Sequence, residues 1–402
     1  MLLAFAATTS VATAQRHRSN RQTTKTATKS NPNAADLKLI ERAISGIATA
    51  QDSLCEKVFN WKFDKKAFTT SNVSAIKSKA DAGEAWAQDI IGELYNQGLG
   101  GYSKNLPKCV EWYIKSADQG FVWGQVNLAI RYEEGEGVNE NDYEAVKWYR
   151  KAAEQGHAEA QCSLGDHYYT GEGVPKDYNE AVKWYRKAAE QGDAEAMNNL
   201  GECYEEGEGV SKDYNEAVKW YRKAAEQGYA RAQKNLGLCY HDGNGVTQDY
   251  TEAVKWYRKA IEKGDDTAMN NLGYCYEYGE GVQQSNSEAR KWYQKAAKLG
   301  NETAQENLER LDCPDFNGSW TYYYYDNYFT FDLELDFKTK IINGYWIIGN
   351  GGAHEVTGRV VGKTAILEVE SMGTYKCTLA NNGDLKAKFM NSGKVFTYER
   401  DE

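Results

Sequence analysis

Six tryptophans recur along this chain at a fixed step of 36 residues, and a glycine follows each of them eight residues later. The tryptophans are Trp112, Trp148, Trp184, Trp220, Trp256 and Trp292, and the glycines are Gly120, Gly156, Gly192, Gly228, Gly264 and Gly300. A period this strict indicates one supersecondary unit copied in tandem, because each unit buries its apolar face only by stacking on its neighbours. Such a stack presents a long surface rather than a single cleft, and long surfaces favour binding functions.

Each copy is predicted to form two antiparallel helices, named here helix A and helix B. In the copy His157–Gly192, the residues Ala160, Leu164 and Tyr168 recur at the spacing of one buried helical face. Gly171 then suits the left-handed position that ends helix A. Helix B begins with a capping box in five copies, at Asn141/Glu144, Asp177/Glu180, Asp213/Glu216, Asp249/Glu252 and Ser285/Glu288. The pattern predicts a mainly α chain, an α-solenoid of about six repeats in which the tryptophan of helix B is a buried structural residue.

The copies share the pattern A-x-x-x-L-G-x-x-Y-x-x-G-x-G-V, an acidic cap, and then A-x-x-W-Y-x-K-A-A-x-x-G. This pattern resembles the Sel-one-like repeat (SLR) family, a relative of the tetratricopeptide repeats. The resemblance is close from Gly120 to Gly300 and looser before it, where Gly83 and Gly120 are 37 residues apart; Asn301–Leu311 repeats helix A without helix B. The resemblance implies protein–protein interaction, often in secreted or envelope-associated bacterial adaptors, and no particular reaction.

Composition and charge narrow the class of partner. The chain has 402 residues, a net charge of −10 and a pI near 5.3, which argues against nucleic acid because no basic stripe is present. No apolar run in the sequence is long enough to span a bilayer. We therefore expect a protein or peptide partner, no membrane span and a monomeric chain.

The N-terminus is predicted to be an export signal followed by a tether. Residues 1–14 are apolar and small, and Ala12-Thr13-Ala14 fits a cleavage site before Gln15, although a basic first segment is missing. The alternative is a frayed end of a cytosolic protein. Residues 15–35 are polar and basic, as in a disordered tether, and residues 36–83 are helical by pattern and are expected to cap the solenoid of residues 84–311. The expected location is periplasmic, cell-surface or secreted, in a bacterium.

Residues 312–402 have a different character, because the helical period ends at Cys313-Pro314. Eight short β-rich runs separated by tight turns predict an antiparallel meander that curls into a small β-barrel. Gly318-Ser319-Trp320 is similar to the G-x-W of lipocalin- and avidin-like barrels, a resemblance that implies stacking of Arg400 on Trp320. The interior is either a ligand cavity or a core filled by side chains.

The cysteines are predicted to be mostly free. Cys203, Cys239 and Cys275 occupy one helix A position at a 36-residue step, so their Cα atoms are expected to lie too far apart for disulfides. Cys313 and Cys377 are the two cysteines of the β region, and they either form a bridge across it or remain thiols.

The sequence gives little support for an enzyme. Some SLR proteins are credited with β-lactamase activity, and Ser74-Ala75-Ile76-Lys77 matches S-x-x-K, but the partner motifs S-D-N and K-T-G are missing from the sequence. The five histidines show no metal-ligand spacing, and the repeated GEGV lacks the GK[ST] of a phosphate loop. We therefore expect no catalytic residues, no metal and no cofactor.

One row of polar residues is the candidate binding site. The position before the leucine of helix A carries Asn127, Ser163, Asn199, Asn235, Asn271 and Asn307, named here the asparagine ladder. The helical wheel places this row at the edge of the buried arc, and in tetratricopeptide-like stacks helix A lines the concave face. Amides there can hold an extended peptide by its backbone, or else bond a neighbouring helix within the stack. The flanking residues Asp166, Glu202, Leu238 and Tyr274 vary between copies and are predicted to set the choice of partner.

The sequence thus predicts a non-enzymatic, exported scaffold that binds a partner along the concave face of its solenoid. The alternative is a sensor in which the β-barrel binds a small ligand or glycan and the solenoid displays it. A β-lactamase-like hydrolase is the third and weakest interpretation.

Overall fold

The computed structural model describes residues 34–60 and 62–312 and, beyond them, the backbone of eight strands between residues 318 and 400. These residues fall into two compact units, one ending at Gln248 and one beginning at Asp249. The predicted signal segment and almost all of the predicted tether lie outside the described residues. Within the described part, no helix is both long and apolar enough to cross a membrane.

The first unit is entirely helical in its described residues. Its helices are α1 (Ala34–Ile44), α2 (Ala48–Phe59), α3 (Thr70–Asp81), α4 (Ala85–Gln97), α5 (Leu106–Asp118), α6 (Val122–Glu134), α7 (Asp142–Glu154), α8 (Ala158–Thr170), α9 (Tyr178–Glu190), α10 (Ala194–Glu206), α11 (Tyr214–Glu226) and α12 (Ala230–Asp242), with a 3-10 turn at Lys65–Ala67. From α4 onward, even-numbered helices are helix A of a copy and odd-numbered helices are helix B.

In its described residues, the second unit contains four helices and eight strands. The helices are α13 (Tyr250–Glu262), α14 (Asp266–Tyr278), α15 (Asn286–Lys298) and α16 (Glu302–Asp312). The strands are β1 (Gly318–Tyr324), β2 (Asn327–Asp336), β3 (Ile341–Ile348), β4 (Ala353–Val361), β5 (Thr364–Val369), β6 (Gly373–Leu379), β7 (Leu385–Phe389) and β8 (Val395–Arg400). Each strand pairs antiparallel with the next, and β1 also pairs with β8. The likeness of this sheet to lipocalin barrels stays a prediction.

The helix ends confirm the predicted capping and turn residues. The side chain of Asp177 accepts hydrogen bonds from the backbone N–H groups of Asn179 and Glu180, at 2.9 and 3.1 Å, at the start of α9. Gly171 ends α8 with a φ of 86°, and Gly173 follows with a φ of 71°. A Cβ on Gly173 would lie 2.4 Å from the carbonyl oxygen of Asp142, so the loop packs against the start of helix B of the preceding copy.

The core of each copy is built around the tyrosine of helix B. The predicted burial of the tryptophan beside it is confirmed for Trp148 and Trp256 and is wrong for the other four, which are only partly buried. The largest fully buried aromatic side chains are Tyr113, Tyr149, Tyr185, Tyr221, Tyr257 and Tyr293. Trp184 is only partly buried, and the ammonium group of Lys187 lies 3.8 Å from the centroid of its ring. Adjacent residues are about 100° apart around a helix, so only one of the two aromatic residues can face helix A.

A glycine of helix A makes room for that tyrosine. A Cβ on Gly165 would lie 2.6 Å from the ring atom Cδ1 of Tyr185, and Gly201 and Tyr221 repeat this contact in the next copy. Real Cβ atoms do not approach so closely, so the ring lies directly against the backbone of helix A. The flat contact lets the two helices approach closely and explains the L-G pair of the repeat.

The described cysteines confirm the prediction of free thiols. Cys203, Cys239 and Cys275 are buried and unbridged, as are Cys55, Cys109 and Cys162. Cys313 and the side chain of Cys377 lie outside the described residues, so the proposed bridge between them stays a prediction.

Replacing Tyr185 by alanine is expected to lower the free energy of unfolding by about 3–5 kcal/mol, the range for a buried aromatic residue. The matched control is Trp184→Ala in the same helix turn, which is expected to cost less than half as much because Trp184 is partly exposed. Urea denaturation followed by circular dichroism measures both. Equal losses for the two variants would contradict the assignment of the tyrosine as the central packing residue.

Candidate interaction surface

The asparagine ladder is more deeply buried than the helical wheel predicted. In the first unit Asn127, Ser163, Asn199 and Asn235 are at most 7% exposed, whereas Asn271 and Asn307 in the second unit are partly buried. A helical wheel describes one helix without its neighbours, and on that basis the row was predicted to lie toward the open side of the stack. The burial arises because the amides of Asn127, Asn199 and Asn235 point at helix A of the preceding copy, as the hydrogen bonds show.

The ladder amides donate hydrogen bonds between successive copies. The Nδ2 of Asn127 lies 2.9 Å from Oδ1 of Asp89, and the Nδ2 of Asn235 lies 3.0 Å from Oδ1 of Asn198. In the second unit, the Nδ2 of Asn307 lies 2.9 Å from Oδ1 of Asn270. In each case the acceptor precedes the equivalent ladder position by one residue in the preceding copy. The amides therefore join neighbouring A helices within the stack.

Asp166 is the acceptor that connects three helices. Its Oδ1 accepts a hydrogen bond from the hydroxyl of Tyr185 at 2.7 Å and another from Nδ2 of Asn199 at 3.0 Å. These donors belong to helix B of the same copy and helix A of the next. Burial, and next the negative charge of Asp166, raise the pKa of Tyr185 well above its usual value, so the hydroxyl remains a donor. Asp166 was predicted to select the partner, but the residue is only 7% exposed.

A second buried carboxylate lies in the first copy. Burial raises the pKa of Asp89 to about 7, an effect that the hydrogen bond from Asn127 opposes. The thiol of Cys55 on α2 donates a hydrogen bond to the backbone carbonyl of Trp86 on α4 at 3.9 Å, which joins the helical cap to the first copy. Asp89 joins the first copy to the second through Asn127.

The row opens to solvent at the fourth and fifth copies. Oε1 of Glu202 accepts hydrogen bonds from Asn198 at 3.1 Å and Asn235 at 3.2 Å, and it lies 3.0 Å from Nε of Arg231. The side chains of Glu202 and Arg231 are 27% and 32% exposed. We name Asn198, Glu202, Arg231 and Asn235 the Glu202 network. The network presents the charged pair Glu202–Arg231 at the surface, and the buried amides of Asn198 and Asn235 hold the Glu202 carboxylate in place.

Two members of this network were missed by the sequence argument. Arg231 stands where the two preceding copies carry Glu159 and Glu195, so the charge is reversed at a repeat position. That reversal is a signal that a comparison of copies could have used. Asn198 precedes the ladder by one residue, and only the packing of α10 against α12 shows that it faces Asn235.

Leu238 and Tyr274 are the remaining predicted site residues. Leu238 is partly buried on α12, and Tyr274 lies on α14 in the second unit. Tyr274 is partly buried, and its ring centroid lies 4.5 Å from that of Tyr278, which is 50% exposed. The guanidinium of Arg310 lies 5.9 Å from the Tyr278 ring and forms a bidentate ion pair with Glu277. Tyr278 thus presents an exposed aromatic ring beside Tyr274.

Repeated antiparallel helix pairs define the class of this protein as an α-solenoid. The Sel1 repeat family model matches residues 87–121, 124–157, 158–193, 194–229, 230–265 and 266–301. These stretches make up more than half of the sequence, and the chain belongs to the Sel1 repeat family. Proteins of this family are generally non-enzymatic scaffolds for protein–protein interaction.

Two solved structures share the repeats at substantial identity. A protective antigen of uropathogenic Escherichia coli with an SLR fold is 38% identical over 70% of this chain and 59% of the antigen, with a TM-score of 0.56. A Sel1 repeat protein from Oxalobacter formigenes is 36% identical over 66% of this chain and 97% of its own, with a TM-score of 0.55. This chain therefore spans about three-fifths of the antigen's length. A comparison with curated proteins finds no match.

Two ladder positions allow a matched test of the interhelical role. Asn199→Ala removes a donor from the buried carboxylate of Asp166 and is expected to cost about 1–3 kcal/mol of unfolding free energy. Asn271→Ala is the control, because in the described part of the chain the Nδ2 of Asn271 has no hydrogen-bond partner. Its expected cost is below about 0.5 kcal/mol. Urea denaturation measures both, and equal costs would contradict the role assigned to the ladder.

Proposed function

We propose that this protein is a non-enzymatic scaffold that binds a protein or peptide partner along its row of A helices. The single observation that carries the proposal is the Glu202 network, where a fixed charged pair reaches the surface of a repeat stack. In a solenoid this row is the surface expected to line the concave side.

The Glu202 network has the properties of a binding centre. Its carboxylate is held by Asn198, Asn235 and Arg231, so little side-chain freedom remains to be lost on binding. A partner that covers the pair also removes it from water, which strengthens charged hydrogen bonds between the two proteins. Arginine is among the residues that most often dominate interface energies.

The earlier copies contribute stability rather than contact in this proposal. The carboxylates of Asp89 and Asp166 are buried and already accept hydrogen bonds, so a partner cannot reach them without breaking the stack. The ladder amides of Asn127, Asn199 and Asn235 are similarly engaged.

We also propose that the protein is exported. The support is the apolar segment of residues 1–14 with its A-x-A site. The Escherichia coli relative is a protective antigen. The alternative function, ligand or glycan binding by the β region, stays a prediction. Its one further support is the strand register, in which Trp320 on β1 lies opposite Arg400 on β8.

The proposal predicts that a double variant Glu202→Ala/Arg231→Ala binds the partner at least tenfold more weakly, a change of about 1.4 kcal/mol. The partner is first captured with the full chain from a bacterial envelope extract, identified by mass spectrometry and purified. Its affinity is then measured by isothermal titration calorimetry, with folding checked by circular dichroism.

The matched control removes a comparable ion pair from the outer side of a helix. Glu180 and Lys183 pair on α9 with their side chains 35% and 63% exposed, and Glu180→Ala/Lys183→Ala is expected to leave the affinity unchanged. If both double variants bind the partner as tightly as the parent, recognition does not use the row of A helices.

A further inference from the structure

A groove of about 510 Å³ lies beside α3, in the helical cap that precedes the first copy. One wall is a face of α3 that carries Thr70, Ser74, Lys77, Ser78 and Asp81. The opposite wall is the loop after α4, at Gly100, Gly101 and Tyr102, and Val73 completes the lining. The groove lies within the first unit and does not include the Glu202 network.

The groove exists because α3 departs from the helix B pattern at two positions. The glycine after each helix aligns α3 with α7, since Gly83 follows α3 with a φ of 97° and Gly156 follows α7 with a φ of 94°. In this register Ser74 stands where five later copies carry Lys147, Lys183, Lys219, Lys255 and Lys291. Ser78 likewise stands where they carry Lys151, Lys187, Lys223, Lys259 and Lys295. Two long charged side chains are thus replaced by two hydroxymethyl groups, which leaves space along the helix.

The opposite wall is displaced as well. In later copies the second glycine of the loop after helix A packs on the first residue of helix B of the preceding copy. A Cβ on Gly137, for example, would lie 2.5 Å from the carbonyl carbon of Leu106. A Cβ on Gly100 would instead lie 2.7 Å from Cγ2 of Val73, which is one helical turn further along α3. Gly83 and Gly120 are 37 residues apart rather than 36, and the one additional residue lies in this loop. The loop therefore crosses α3 at its fourth residue and borders the groove.

The hydroxyl groups of the groove have no structural role within the described part of the chain. Thr70, Ser74 and Ser78 are exposed, and their hydroxyls make no hydrogen bond to the described residues. Serine is also a poorer helix former than alanine, so these residues bring no gain to α3. The ammonium of Lys77 forms an ion pair with Asp81, so in the S-x-x-K motif it is engaged away from Ser74.

We propose that this groove binds an extended peptide segment, as a second recognition site that does not depend on the row of A helices. Residues four apart on a helix are about 6 Å apart along its axis. Alternate residues of an extended chain are about 6.6 Å apart, which nearly matches that spacing. The hydroxyls of Thr70, Ser74 and Ser78 thus form a row that meets successive backbone groups on one side of the peptide. The groove is about 16 Å long from Thr70 to Asp81, enough for about five extended residues.

The test uses random peptides of about ten residues displayed on phage and selected on the full chain. Selected peptides are synthesised, and their affinities are measured by fluorescence anisotropy. Ser74→Lys/Ser78→Lys restores the lysines of the later copies and fills the groove, and it is expected to weaken binding at least tenfold. Ser74→Ala/Ser78→Ala removes only the hydroxyls and is expected to weaken binding about threefold or more. Both changes suit an exposed helix face, and thermal melts check folding.

The control is Ser71→Glu, at a residue that lies on α3 but outside the groove. It introduces the residue that a later copy carries at the equivalent position, Glu144. It is expected to leave peptide affinity unchanged. Three outcomes overturn the proposal: no peptide is selected, the lysine variant binds within twofold of the parent, or Glu202→Ala/Arg231→Ala abolishes binding of the same peptides. Binding of glycans on an array that the lysine variant removes, without any peptide selected, would assign the groove to saccharides instead.

Discussion

The stack depends on a tyrosine of helix B that lies flat against the backbone of helix A. The ring of Tyr185 occupies the place where a side chain on Gly165 would begin, so glycine is required for this approach. The phenol hydroxyl is then deep in the core, where an unpaired polar group is costly. It needs an acceptor, and Asp166 supplies one. A buried carboxylate in turn needs further donors, and the ladder amide of the next copy, Asn199, provides one.

The same chain of requirements recurs with small changes between copies. Other helix B tyrosines donate to Glu93, Glu133, Glu205 and Glu277. The acceptor therefore comes from either of two positions on helix A, one turn apart. Because the acceptor in these copies is an acidic residue on the helix that faces the tyrosine, part of the negative charge of this chain belongs to its core. An acidic surface is thus a poor guide to where a partner binds.

Because the core uses many polar side chains of the A helices, only the carboxylates and amides that still reach solvent are available to bind a partner. Copies whose carboxylates are enclosed, such as those of Asp89 and Asp166, contribute to cohesion of the stack. Glu202 is joined to the next copy by Asn235 and Arg231 and still reaches solvent. Glu202 is also free of the tyrosine of its copy, because Tyr221 donates to Glu205 instead. Its cation Arg231 stands where the two preceding copies carry glutamate. Variation between copies, rather than the shared pattern, therefore marks the candidate surface.

The sequence was sufficient for everything that depends on local periodicity. The helix pairs, the cap at Asp177 and the left-handed Gly171 follow from residue spacing and backbone preference. It was not sufficient for choosing between adjacent aromatic residues, because Trp184 and Tyr185 are both large aromatic side chains and the repeat pattern does not give their directions. It also misjudged Asn199, because burial there comes from a neighbouring copy that a single helical wheel does not contain. The groove at α3 could not be predicted from the sequence, because its two walls are a helix and a loop that meet only in the folded chain.

A double-mutant cycle between Tyr185 and Asp166 tests the central interaction most directly. Tyr185→Phe removes only the hydroxyl, and Asp166→Ala removes the acceptor. Unfolding free energies of the parent, the two single variants and the double variant give the coupling between the groups. A hydrogen bond to a charged group predicts a coupling of about 1.5–3 kcal/mol. A coupling below about 0.5 kcal/mol, the limit at which separate sites are additive, would contradict the account.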